Sequence, residues 1–445
     1  MRVVLVMWLM LFTIVGAAMA DDGRFFPFDY ENYTLPNGLK AILIPMQGSG
    51  LVAYYTVVRT GSRDEWEEGR SGFAHFFEHM MFRGTEKYPA ADYSRIVSEM
   101  GADANAYTSD DITCYYMVIP SASLKQTMDL ESDRFQNLFY EEGPFRTEAG
   151  AVYGEYRKNI ASPWRIANEK MMETAFDVHT YKHTTMGFER DIKEMPNMYD
   201  YSRTFFNRYY RPENCVLMLV GDFDPGKAKK MIKKYYEAWE KGYVEPKITP
   251  EPVQTAERRI DVPYSGRVLP IVWLAYKGEA FDPENRTMVA AVLMADLAFG
   301  ENSEIYKDLV IREQKVQFVT AAVDFNRDPK LYDVYGEVKD ESDIDYVLGR
   351  IDETIETFQV ELVSEEDLEN TKMRRRYSYL MRLETPNDVA SRLARMIALT
   401  GGIEAVDALY ATMARITPED IRQAAIKYYQ PERRTVLVLK GGKKS

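Results

Sequence analysis

Two apolar runs within residues 33–46 are split by Asn37-Gly38. That dipeptide favours a type I′ turn, so the pattern predicts a hairpin. Residues 51–59 read as a strand. After Ser71-Gly72 the apolar positions change to helical spacing, which predicts a helix carrying His75 and His79. Residues 92–100 read as helical and 112–119 (ITCYYMVI) as a buried strand. Helical patterns cover about 123–138 and 145–160, and 215–221 is another apolar strand.

Periodicity then fades. Residues 241–257 (KGYVEPKITPEPVQTAE) are rich in proline and charge and read as a linker. Beyond it the pattern restarts with a strand at 268–276 and helices at 285–299 and 303–311. Strands at 316–324 and 332–338 follow, then a helix at 343–358 and long helices across 365–399. Strands in runs with helices between them predict an α+β fold of mainly antiparallel sheets packed with helices.

One echo suggests a duplication. YYRPENCVLMLVG begins at Tyr209 and YYQPERRTVLVLKG at Tyr428, half a chain apart. Each is a helix end, a proline-marked turn and an apolar strand. Two related domains are expected, 21–240 and 258–445, joined by the linker at 241–257. All four histidines, 75, 79, 179 and 183, lie in the first half. If the fold is duplicated, its histidine chemistry is not.

Composition narrows the class. At 445 residues with 46% hydrophobic and 13% aromatic content, the chain can bury real cores. Arg2, the apolar run Val3–Val15 and Ala18-Met19-Ala20 form a signal-peptide pattern over 1–20, with Asp21-Asp22 opening the mature chain. A periplasmic or secreted protein is expected, the alternative being an uncleaved N-terminal anchor. No other segment approaches the ~20 apolar residues a stable membrane span needs. The formal net charge is −13. Removing the leader removes one positive charge, Arg2, and leaves −14. Such a balance argues against nucleic acid as a partner. Cys114 and Cys215 both lie in strand-like runs, and the sequence permits one disulfide or two buried thiols.

The chemistry concentrates at His75-Phe76-Phe77-Glu78-His79. Residues four apart share a helix face, so both imidazoles can reach one metal ion. Glu78 stands beside that metal without ligating it, where a general base for a metal-activated water belongs. A catalytic zinc site needs a third protein ligand. Glu155 is the candidate, on a helix that also carries Glu148 two turns earlier on the same face. Glu148 would then orient a histidine or tune the metal. The alternative for Glu155 is an ordinary solvated helix charge. His179 and His183 are also four apart and could form a second metal pair, but HTYKHTTMG reads as a loop.

These stretches resemble a known family. LPNGLKAIL at 35–43, GSRDE at 61–65, GFAHFFEHMMFRGTEKYP at 72–89, GADANAYTSDDITCYY at 101–116 and RYYRPENCVLMLVGDFD at 208–224 are similar to the M16 (pitrilysin-like) inverted zinc metallopeptidases. That family includes insulin-degrading enzyme and the mitochondrial processing peptidase. The resemblance spans nearly the whole mature chain, strongly in the first half and weakly in the second. It implies one Zn²⁺ per chain on His75, His79 and Glu155, Glu78 as base and Glu148 as the accessory glutamate. It also implies that Asn105-Ala106-Tyr107 forms a strand edge to which substrate backbone adds; a turn-capping Asn105 is the alternative reading. Active members use an Arg and a Tyr seven residues apart in the second half. Here Arg312 is followed seven residues on by Val319. The resemblance therefore implies a half-length bacterial-type zinc endopeptidase acting on peptides or unfolded polypeptides. The departure favours a heterodimer with a metal-free subunit over a homodimer. The rival function is a metal-bearing but weakly active subunit or peptide-binding scaffold.

Overall fold

A computed structural model describes residues 24–442. The signal-peptide pattern lies outside the described residues. Strands β1 (Glu31–Thr34), β2 (Lys40–Pro45), β3 (Leu51–Val58), β4 (Asp103–Thr108), β5 (Thr113–Pro120) and β6 (Cys215–Gly221) build one sheet. Its order is β1-β2-β6-β3-β5-β4. Strands β7 (Arg258–Tyr264), β8 (Ile271–Lys277), β9 (Val316–Val323), β10 (Leu331–Val338) and β11 (Arg434–Gly441) build a second, ordered β7-β11-β8-β10-β9.

The two sheets repeat one another. Strand β6 runs parallel to β2 and antiparallel to β3, and β11 runs parallel to β7 and antiparallel to β8. All other pairs are antiparallel. The echoing sequences at Tyr209 and Tyr428 thus lead into equivalent inner strands. Both strands are continuous apolar runs because both faces of each sheet are covered.

The covering helices are exchanged between halves. One face of the first sheet packs on the helix Phe73–Met80 and its neighbours. Its other face, with Ile42, Tyr55 and Val57, packs on Val389, Leu393 and Ile397 of the helix Pro386–Thr400, from the second half. The second sheet sets Val272, Leu274 and Val334 against helices of its own half. Its other face, with Ile271, Trp273 and Leu437, takes Ala167, Met171 and Ala175 of the helix Pro163–Ala175, from the first half. Burying three large aliphatic side chains contributes on the order of 5–9 kcal/mol before chain entropy is subtracted. Neither half is therefore complete alone.

Two local expectations change, and one left open is decided. The β1–β2 connection spans residues 35–39 rather than a two-residue turn. Gly38 has φ +93°, but the Asn37 amide turns inward and donates to the Tyr236 and Trp239 carbonyls. The helix expected at 303–311 is a short turn, Glu304–Tyr306, running into a π-helix, Lys307–Arg312. Cys114 and Cys215 are buried free thiols on the strands flanking β3. Their side chains enter different cores, on opposite faces of the sheet, which rules out a bridge.

Candidate metal centre

The His helix, Phe73–Met80, follows from its spacing. Phe73, Phe76, Phe77 and Met80 form one buried stripe, and Ala74 and His75 are buried beside it. Glu78 and His79 occupy the opposite side, only partly buried. The helix starts at Gly72, which has φ +94° and no side chain to cap the free N–H groups. Glu65 caps them instead: its buried carboxylate accepts the Gly72 and Ala74 N–H groups at 2.7 and 2.6 Å. Burial still raises the Glu65 carboxyl well above its ordinary value.

The helix Glu142–Asn159 faces this helix and presents Glu148 and Glu155 together. His75 Nε2 and His79 Nε2 stand 3.7 and 3.4 Å from Glu155 Oε2. The three ligand atoms all lie within 4.8 Å of one another. Two donors on a tetrahedral ion with bonds of about 2.1 Å stand about 3.4 Å apart, so these residues fit one zinc ion. Among the described residues this is the one group of three or more such side chains with metal-holding geometry. Burial, then the neighbouring His79, lowers the His75 pKa to about 4, keeping its ring neutral as a ligand must be.

Glu148 accepts the His79 Nδ1–H at 2.9 Å, leaving the Nε2 lone pair turned toward Glu155. Arg83 donates to the other Glu148 oxygen from Nε at 2.6 Å, and from its terminal nitrogen as well. Burial alone would raise the Glu148 carboxyl, but the His79 and Arg83 hydrogen bonds outweigh it and hold it below its ordinary range. Glu78 goes the other way. Burial raises its carboxyl, and the Thr108 hydroxyl, donating at 2.7 Å, opposes that rise. A carboxylate raised toward neutrality is a better proton acceptor for catalysis.

Thr108 belongs to β4, the edge strand of the first sheet. Asn105 and Ala106 pair with Tyr116 and Tyr115 of β5 on one side; among the described residues no strand pairs on the other. Asn105 is therefore a strand residue, not a turn cap, and its Oδ1 accepts the Ala106 N–H at 2.8 Å. Tyr107, half-buried, turns to the opposite face.

The second histidine pair does not converge. His179 Nε2 contacts Asp328 at 3.0 Å across the two halves, and His183 is buried near Glu65. Arg312 is exposed and held by Asp308. Val319 is buried in the core of the second half. The sequence reading missed the roles of Glu65, Arg83 and Thr108. Glu65 and Arg83 stand in GSRDE and the His-helix stretch, yet each meets its partner through tertiary contact, which spacing does not show.

The duplicated α+β chain carries a single His-x-x-Glu-His helix, the residue order that the family resemblance rests on. Comparison with known proteins makes this narrower. Residues 49–189 match the family model for insulinase (peptidase family M16), and residues 198–375 match that for the peptidase M16 inactive domain. The chain belongs to peptidase family M16. It is 27% identical to zinc protease PqqE of Helicobacter pylori, over 97% of this chain and 96% of that protein. The crystal structure of a protease from Helicobacter pylori superposes with a TM-score of 0.87 at 25% identity, covering 93% of this chain and 99% of that one. The first half of the periplasmic protease PqqL from Escherichia coli shares the fold, with a TM-score of 0.76 at 21% identity over 93% and 92% of the two chains.

Proposed function

We propose that the chain is a zinc-dependent endopeptidase hydrolysing peptides or unfolded polypeptides. The observation that carries the reading is the meeting of His75, His79 and Glu155 around one point, with Glu78 beside them and an open strand edge alongside. One bound zinc would polarise the scissile carbonyl and lower the pKa of water to about 7. Glu78 takes a proton from the attacking water and delivers it to the leaving amine. Glu148 holds His79 in the required tautomer. Asn105, Ala106 and Tyr107 align an extended substrate through main-chain hydrogen bonds, so sequence preference along the strand is loose.

The same reading divides the chain into a leader at 1–20, a metal-binding domain at 21–240, a linker at 241–257 and a metal-free domain at 258–445. The leader, together with a relative described as periplasmic, supports export. The position of Arg312 and the burial of Val319 favour a second reading: a metal-bearing subunit that takes its substrate-binding cation from a partner.

The test is peptidase activity of the purified chain on unstructured peptides, with bound metal quantified. Chelator-sensitive cleavage is expected, and Glu78→Gln should lower it about 10²–10⁴-fold while zinc stays bound. Cleavage undiminished in that variant refutes the base assignment. Zinc bound without cleavage by the unaltered chain supports the second reading.

A further inference from the structure

The second sheet carries a cavity that the reaction above does not use. It measures about 290 Å³ and lies between the helix Pro163–Ala175 and the β8, β9 and β10 strands. Its walls are aromatic: Trp164, Trp273 and Tyr335 stand with ring centroids 5.6–6.2 Å apart. It is open because the neighbours of Asp333 across the sheet are small, Ala275 on β8 and Ala322 on β9.

The polar lining is unbalanced. Asp333 Oδ1 accepts the Trp273 indole N–H at 2.8 Å, and its second oxygen has no hydrogen-bond partner among the described residues. The Asp324 carboxylate, one residue past β9, has none among the described residues either, and acts on Lys330 through space. Lys330 is the one cation lining the space, and its ammonium is drawn away to Asp110 of the first half. Two carboxylates therefore face an aromatic-walled space, with Lys330 acting on both through space but in ion-pair contact with neither. Burial, opposed by the Trp273 bond and by Lys330 and reinforced by Asp324, pushes the Asp333 carboxyl up to about 7.

We propose that this cavity binds the side chain of a lysine or arginine in the polypeptide substrate, at a residue remote from the cleaved bond. The aromatic faces supply cation–π attraction and the carboxylates charge-assisted hydrogen bonds. The cavity adjoins the helix that follows the one carrying Glu155. Trp164 follows the ligand Glu155 by nine residues, across the turn between two helices. Asn168 borders both this cavity and the small space beside Asn159, whose amide donates to Glu155 at 3.4 Å. The inference rests on the peptidase reading.

The experiment compares two N-acetylated, unstructured peptides that differ only in lysine against norleucine. Binding to the zinc-loaded Glu78→Gln chain is measured by calorimetry, so that neither peptide is cut. Lysine should bind at least about tenfold tighter. Asp324→Asn with Asp333→Asn should bring that ratio to about one without changing the norleucine affinity. A ratio near one in the parent, or an unchanged ratio in the double variant, overturns the inference. If the double variant loses norleucine binding, Asp324→Asn alone decides: the ratio must fall at least threefold. Cleavage of both peptides at equal efficiency with no binding preference overturns the inference and leaves the peptidase reading standing. Lysine-selective binding with neither peptide cleaved by the unaltered chain does the reverse.

Discussion

The two sheets share a strand order, yet the helices that follow β3 and β8 do different work. After β3 comes Phe73–Met80, with an apolar stripe on one side and Glu78 and His79 on the other. After β8 comes Arg286–Phe299 (RTMVAAVLMADLAF), with ten buried residues and no histidine or glutamate. A helix apolar on all sides is committed to packing, and this one is covered by Pro418–Tyr428 and its neighbours. The first half leaves one helix face free of apolar packing and sets Glu78 and His79 on it. Duplication supplied two equivalent scaffolds, and the polar face is what separates them.

The comparison breaks most sharply at the ligands. Glu155→Ala should reduce bound zinc to background, measured by elemental analysis. Glu78→Gln should lower turnover about 10²–10⁴-fold with zinc retained. Glu148→Gln should lower zinc affinity by about 10–100-fold, measured by competition with a chelator, because His79 loses the charge of its acceptor. Leu393→Ala tests whether the halves are one cooperative unit. A loss of about 2–5 kcal/mol is expected, and both halves should unfold in a single calorimetric transition.

The smallest effect concerns the charges that join the halves. Asp328 accepts Arg63 Nε at 2.6 Å and contacts His179. Burial would raise its carboxyl, but the His179 and Arg63 bonds hold it well below the ordinary value. A carboxyl depressed in the folded state stabilises above its unfolded pKa of about 4, and that contribution is lost as pH falls through the folded value. Asp328→Asn should therefore cost about 1–3 kcal/mol at neutral pH. It should also flatten acid destabilisation below about pH 4, followed by urea unfolding across pH.

Legibility followed the range of each interaction. His75, Glu78 and His79 were readable because four residues along a helix fix a shared face. Glu148 and Glu155 were readable as a pair for the same reason, and the resemblance supplied what they face. Strands β6 and β11 were readable from their apolar runs, and the duplication from their matching entries. The exchanged helices Pro163–Ala175 and Pro386–Thr400 were not readable as covers, because amphipathic spacing says that a helix has a partner without saying which sheet. The Asn37-Gly38 turn misled for a related reason. Its asparagine serves distant carbonyls, and the loop lengthens to let it reach them.

The exchange also sets a clock. The first sheet is complete in sequence at Gly221, but the helix that closes its second face begins at Pro386. At roughly 5–20 residues per second, a ribosome takes roughly ten to thirty seconds to cross that interval. During that time Ile42, Tyr55 and Val57 stay exposed on a half-built sheet. The nascent chain is then a client for holding chaperones. A chain severed within 241–257 is expected to reassemble only when both fragments are present together.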